Sequence, residues 1–107
     1  MGDVLMAKIE HKQAVAKGRW VMRSIWLAKE RRRVGSRCHF CKGLTTQPGS
    51  NGPFRATVDH CIPLAMKGPD MPSNWRLACA TCNGLKGTMS EAEFIRELRK
   101  AGVRDDG

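Results

Sequence analysis

The chain has 107 residues, the length of one small domain, with a formal net charge of +9, 5 cysteines, 11 glycines and no tyrosine. A chain this short buries only about two-thirds of the surface its unfolded form exposes, so its core is thin and a further stabilising device is expected. No run approaches the ~20 apolar residues of a membrane span, and an odd cysteine count without a secretory leader argues against a closed disulfide framework and for a cytoplasmic protein with reduced thiols.

Residues 4–33 read as one helix. Asp3 would cap its start, proline is absent, and Met22, Ile25 and Trp26 recur at i, i+3, i+4 as an apolar face. Gly18 is positioned to kink or divide it. Lys29 to Arg33 holds four basic residues and one acid. Residues 1–42 carry a net +8 and residues 43–107 only +1. The positive field therefore belongs to an N-terminal arm, taken as residues 1–36, ahead of a domain over residues 37–107. Such a field draws polyanions and speeds encounter with them. A solvated helix that aids solubility, or contact with acidic lipid or an acidic protein, are the competing readings.

Residues 37–53 read as loop, with Cys38-His39-Phe40-Cys41-Lys42-Gly43 as a knuckle-like turn. Phe54 to Val58 has strand character, closed by Pro63, and Trp75 to Ala78 suits a second short strand after an irregular loop at 67–73. A helix is expected to start near Cys79 to Thr81. The last element is a helix over 91–101. Ser90 and Glu93 form a capping box, Phe94, Ile95 and Leu98 supply its apolar face, and Gly102 stands at the C-terminal cap.

Cys38 and Cys41 are spaced C-x2-C, and so are Cys79 and Cys82. Each spacing lets two thiolates converge on one ion, and four complete the tetrahedral shell of a structural zinc. The competing reading is a redox role for one pair. The 37 residues between the pairs would form a loop closed at its base by the metal. Four thiolates and one zinc contribute a formal −2, so the folded protein would carry roughly +7. Cys61 reads as a small inward-facing hydrophobe on the strand. His39 reads as an outward-facing side chain rather than a zinc ligand.

Three short pieces remain: Val58-Asp59-His60-Cys61-Ile62-Pro63, Asn74-Trp75-Arg76-Leu77 and Cys79-Ala80-Thr81-Cys82-Asn83-Gly84-Leu85-Lys86. Each is unremarkable alone. Taken with the first C-x2-C pair, in this order and at these gaps, they resemble the HNH endonuclease family over residues 38–87. The resemblance implies a small α+β fold: a ββα-metal core with a zinc knuckle, preceded by the basic helix and followed by the C-terminal helix. It implies that Asp59 and Asn83 hold a catalytic divalent ion, Mg²⁺ or Mn²⁺, and that His60 is the general base. Asn74 would brace the loop between the strands and help hold the His60 backbone and ring in place. Asn83 stands where the name-giving members have His, which favours a hard cation over a borderline one. An imidazole ordinarily titrates near pH ~6.5, which suits a base at neutral pH. Adjacent strand residues point to opposite faces, so a distortion between Asp59 and His60 is expected if both serve one site.

The expected activity is hydrolysis of DNA phosphodiester bonds, leaving 5′-phosphate and 3′-hydroxyl ends, in a bacterial or phage-infected cell. Arg31, Arg32, Arg33, Arg37, Arg76 and Lys86 are the candidate phosphate contacts, and Trp20 and Trp26 candidate stacking or core residues. RNA stays open as a substrate, and so does assembly as a homodimer or in a larger DNA-processing complex. No membrane partner is expected. The alternative function is a non-catalytic zinc module that binds nucleic acid, or an accessory of a phage DNA-processing complex.

Overall fold

The structure is a computed structural model that describes Gly18 and residues 20–103. The expected Asp3 cap and the helical reading of residues 4–17 lie outside the described residues. Helix α1 is described over 20–33. After a long loop come strand β1 (Ala56–His60), strand β2 (Trp75–Cys79), helix α2 (Ala80–Lys86) and helix α3 (Glu91–Lys100), with short 3-10 turns at Leu64–Met66 and Pro72–Asn74. The fold is the small α+β class expected, with a ββα core between two flanking helices.

The strands pair antiparallel in an unbroken register from Ala56 opposite Cys79 to His60 opposite Trp75. Phe54 was expected to begin the first strand but is exposed in a turn. Its reason is the partner: β2 ends at Cys79 because α2 begins at Ala80, so β1 has nothing to pair with before Ala56. Residues 37–53 are loop as expected, pinned by isolated bridges between Arg37 and Leu44 and between Thr46 and Arg55.

Two apolar clusters separate on the two sides of the sheet. Leu27 of α1 packs with Ala56 and Leu77, with Trp26, Val34 and Val58 around them. Trp26 and Trp75 meet edge to face at 5.6 Å, a contact worth about 1 kcal/mol beyond its buried area. The stripe that α1 turns to the sheet is thus Arg23, Trp26, Leu27 and Val34. Met22 and Ile25, expected on that face, are exposed, and Trp20 is 68% exposed. The helix is rotated from the expected face because the sheet offers a tryptophan ring and the Asp70 carboxylate, which suit Trp26 and Arg23 rather than Met22.

The second cluster joins the cysteines Cys38, Cys79 and Cys82 to Phe40, Ala78, Phe94 and Leu98. Phe40 and Phe94 meet edge to face at 5.0 Å. Helix α3 is capped as its sequence indicates: the Ser90 hydroxyl accepts from the Glu93 amide at 3.3 Å. Gly102 has a φ of 73°, and the amides of Gly102 and Val103 donate to Arg99 and Leu98, which completes a Schellman motif.

The loop between the strands turns on Gly68. A Cβ there would lie 1.9 Å from the Ile62 carbonyl oxygen, which is backbone and cannot move aside cheaply. Gly68→Ala is expected to lower stability by about 2–3 kcal/mol, measured as a shift of the urea midpoint at constant slope.

Candidate metal centres and nucleic-acid-processing site

The four sulfur atoms of Cys38, Cys41, Cys79 and Cys82 lie within 4.8 Å of one another. Zn–S bonds of ~2.3 Å place tetrahedral sulfurs roughly 3.8 Å apart, so the set can close on an ion with little adjustment. Backbone amides already face the sulfurs: Phe40 and Cys79 donate to Cys38 Sγ, Gly43 to Cys41 Sγ and Cys82 to Cys79 Sγ, each at 3.4 Å. A hydrogen bond from the Cys82 thiol, with those amides, holds the Cys38 thiol far below the usual range, and the Cys82 thiol is raised in turn. Such a donor set suits thiolates. The cluster is consistent with a zinc knuckle and is capable of coordinating a metal ion. The first knuckle is docked by the His39 amide, which donates to the Leu77 carbonyl of β2 at 2.8 Å.

His39 does not join the cysteines. Its Nε2 meets Glu91 Oε1, which also lies 3.4 Å from Arg76 Nε. Cys61, expected inside a strand, sits just past the end of β1 in a bend and is only half-buried. The strand stops at His60, so no alternation acts on Cys61 to bury it. Burial and then the nearby Glu91 carboxylate push its thiol up.

Asp59, His60, Asn83 and Lys86 line one cleft of about 200 Å³, with Pro63, Leu64 and Ala65 on its other wall. The expected distortion between Asp59 and His60 is absent: pairing is regular through His60, and the chain bends only at Cys61 and Ile62. Alternation therefore turns Asp59, like Thr57, towards α2. His60 reaches the cleft because β1 ends there and the following loop curls around it.

Asp59 is 4% exposed. Its Oδ2 is buried without a hydrogen-bond partner, although Lys86 Nζ lies 3.2 Å away. The contact is an ion pair whose alignment is not that of a hydrogen bond. Burial raises the Asp59 carboxyl above its ordinary range, and Lys86 opposes the shift only in part. Asn83 donates both amide protons inwards, to Thr57 Oγ1 at 3.0 Å and the Val58 carbonyl at 3.3 Å. Its Oδ1 accepts no hydrogen bond among the described residues. The Asp59 carboxylate thus faces the Lys86 ammonium at the cleft that Asn83 also lines.

Lys86 sits elsewhere than a phosphate contact would. It is 1% exposed, and its ammonium donates to the His60 carbonyl at 2.8 Å while pairing with Asp59. As the last helical residue of α2, it can extend under the sheet, and burial leaves its charge turned inwards. Among the other basic candidates, Arg32 and Arg37 are exposed. Arg33 pairs with Glu30, and Arg31 reaches the Thr45 carbonyl at 3.4 Å. Arg33, Arg37 and Arg76 share a second cleft of about 340 Å³ with His39 and Lys42.

Asn74 is buried and bonds only to the loop. Its Oδ1 accepts from the Ile62 amide at 3.0 Å, and its Nδ2 donates to the Ile62 and Pro69 carbonyls at 3.0 and 2.9 Å. It holds the 61–74 loop shut and does not touch the His60 ring. The ring is met instead by Asp70, which sequence reasoning missed. His60 Nε2 lies 2.9 Å from Asp70 Oδ1, which also accepts from Trp75 Nε1 at 3.0 Å. Arg23 NH2 of α1 lies 2.5 Å from Asp70 Oδ2. The hydrogen bond with His60, then those from Trp75 and Arg23, hold the Asp70 carboxyl down at about 2. No spacing rule marks Asp70; its only signal is a carboxylate inside a Gly- and Pro-rich loop between His60 and Asn74.

Residues 49–89 match the family model described as HNH endonuclease. The matched stretch contains β1, the braced loop, β2 and α2, so the ββα core is an HNH endonuclease family domain. The family points to a nucleic-acid partner. No curated protein matches the chain. Among the described residues, no helix is long and apolar enough to cross a membrane.

Two outcomes follow from this geometry. Metal analysis is expected to find ~1 Zn per chain, and chelation or Cys82→Ser to abolish cooperative unfolding, because metal binding of this kind is folding free energy. Lys86→Met is expected to cost about 3–5 kcal/mol at neutral pH, since it leaves a buried carboxylate without its cation; chemical denaturation of both proteins measures it.

Proposed function

We propose that this domain is a metal-dependent endonuclease that hydrolyses phosphodiester bonds in DNA, with His60 as general base and a divalent ion, Mg²⁺ or Mn²⁺, on Asp59 and Asn83. The observation that carries the reading is the meeting of three groups at one cleft: an imidazole with a free ring nitrogen, a carboxylate oxygen without a hydrogen-bond partner and an amide oxygen without one. When bound, the cation would supply Lewis-acid stabilisation of the scissile phosphate and leaving oxygen. His60 accepts the proton of the attacking water at its free nitrogen. Asn83 is held in one orientation by Thr57 and Val58, so its oxygen needs no reorganisation to serve. Asn74 keeps the loop behind His60 closed. The four cysteines take no part in the chemistry.

The basic segment over residues 1–36 would track the phosphate backbone. Arg32 and Arg33 are its best placed contacts, with Arg37 just beyond it, because the first and last are exposed and the surface pairing of Arg33 with Glu30 is weak enough for a phosphate to replace. Arg31 and Arg76 are further contacts at the edges of that surface. A cytoplasmic setting, in a bacterium or an infected host, would keep the four cysteines reduced and able to hold a metal.

One observation favours a second reading, a non-catalytic zinc-containing nucleic-acid-binding module. The Lys86 ammonium stands at the carboxylate that the cation would use, and a binder needs no more than that internal charge balance.

Nicking of supercoiled plasmid separates the two. With Mg²⁺ or Mn²⁺, His60→Ala is expected to lose roughly 10²–10⁴ of the rate while binding DNA as before. Mn²⁺ binding followed by electron paramagnetic resonance should weaken in Asp59→Asn. Equal nicking by wild type and His60→Ala would reject His60 as base, and absence of both nicking and Mn²⁺ binding in wild type would favour the binder.

A further inference from the structure

We infer that Asp70 is the positioning residue of His60, locking its ring in the tautomer that leaves Nδ1 unprotonated, and that Arg23 ties this lock to helix α1. The inference rests on the reading of His60 as general base and adds two residues to it.

The proton positions follow from the partners. An indole N–H can only donate, and an ionised carboxylate can only accept. Asp70 Oδ1 accepts from Trp75 Nε1 at 3.0 Å and lies 2.9 Å from His60 Nε2. Oδ2 faces the Arg23 guanidinium at 2.5 Å, another donor. Every neighbour of this carboxylate therefore demands an acceptor. His60 Nε2 must carry a proton, and in the neutral ring Nδ1 is then the lone-pair nitrogen. Nδ1 has no hydrogen-bond partner among the described residues. The side chain is 15% exposed, so the ring has little freedom other than what these bonds allow.

The carboxylate is itself held in place. It belongs to the loop that Asn74 clamps through Ile62 and Pro69, and Pro69 immediately precedes it. Trp75 anchors it from β2 and is packed against Trp26 of α1. Arg23 lies one helical turn before Trp26 and Leu27, which are the residues that seat α1 on the sheet. Displacing α1 would remove both the Arg23 donor and the ring behind Trp75. The helix at the end of the positively charged segment is therefore part of the device that aims the base.

The test uses the full chain and three variants, Asp70→Ala, Asp70→Asn and Arg23→Ala, with His60→Ala as reference. Two readouts are taken: the single-turnover nicking rate with Mn²⁺, and long-range ¹H–¹⁵N spectra, in which His60 is assigned by its absence from His60→Ala. Wild type is expected to show the Nε2–H tautomer. Asp70→Ala should show averaging between tautomers and a rate lower by roughly 10- to 100-fold, with DNA affinity in chelator unchanged. Asp70→Asn keeps the shape and one acceptor oxygen, and should fall between the two. Arg23→Ala should lose a few-fold, about 3–10, by the same loosening. A wild-type rate or an unchanged His60 tautomer in Asp70→Ala overturns the inference. If Asp70→Ala does not fold, a wild-type rate in Asp70→Asn overturns it. Should His60→Ala nick like wild type, the base reading fails, and the tautomer spectra still decide whether Asp70 sets the ring.

Discussion

The four-cysteine cluster is the constraint on which the rest depends. Two paired strands of five residues cannot sustain themselves in water, and the apolar residues around them are few. The cysteines answer this by being core residues that are also able to hold a metal ion: Cys38, Cys79 and Cys82 are buried in the same cluster as Phe40, Phe94 and Leu98. Cys79 ends β2 and caps α2, its sulfur accepting from the Cys82 amide. One metal there would join the knuckle, the sheet and the helix at a single point. It would also close the loop that contains His60 and so hold that loop at its base.

Away from the cysteines, the organising force is buried charge. Asp59 and Lys86 face each other where water is scarce, and each would be costly alone. A pair of this kind is only a modest source of stability, yet it keeps a carboxylate ready inside the fold. The Asp70 network behaves differently because it is part exposed and satisfied by three donors. Its value would lie in orientation: a carboxylate that meets three donors from three elements holds the neighbouring imidazole. Helix α1 closes the face opposite Asp59, with Trp26 and Leu27 burying apolar area while Arg23 reaches past them to the Asp70 network.

Where the chain is read locally, sequence and structure agree. The C-x2-C pairs converge because the spacing itself brings two sulfurs round one turn. Ser90, Glu93 and Gly102 delimit α3 because caps satisfy backbone groups within a few residues of themselves. The HNH landmarks fall on β1, β2 and α2 in order. Disagreement begins where partners come from far along the chain. The start of β1 depends on where β2 stops. The buried face of α1 depends on the surface it meets, so Arg23 and Trp26 are turned inwards while Met22 and Ile25 are not. The regular pairing through His60 made the expected distortion unnecessary, because ending the strand exposes both neighbours to one cleft.

The sequence by itself therefore determined the match to the HNH endonuclease family, the pairing of the four cysteines and the capped C-terminal helix, all written in spacings of a few residues. Only the tertiary structure decided that Lys86 turns its charge inwards to Asp59, that the expected bracing by Asn74 stops at the loop without a bond to the His60 ring, and that Asp70 meets His60. Those outcomes depend on the strand pairing and on the packing of α1 and α2 against it. Such packing brings together groups 10 to 47 positions apart, at separations where no local pattern carries a signal.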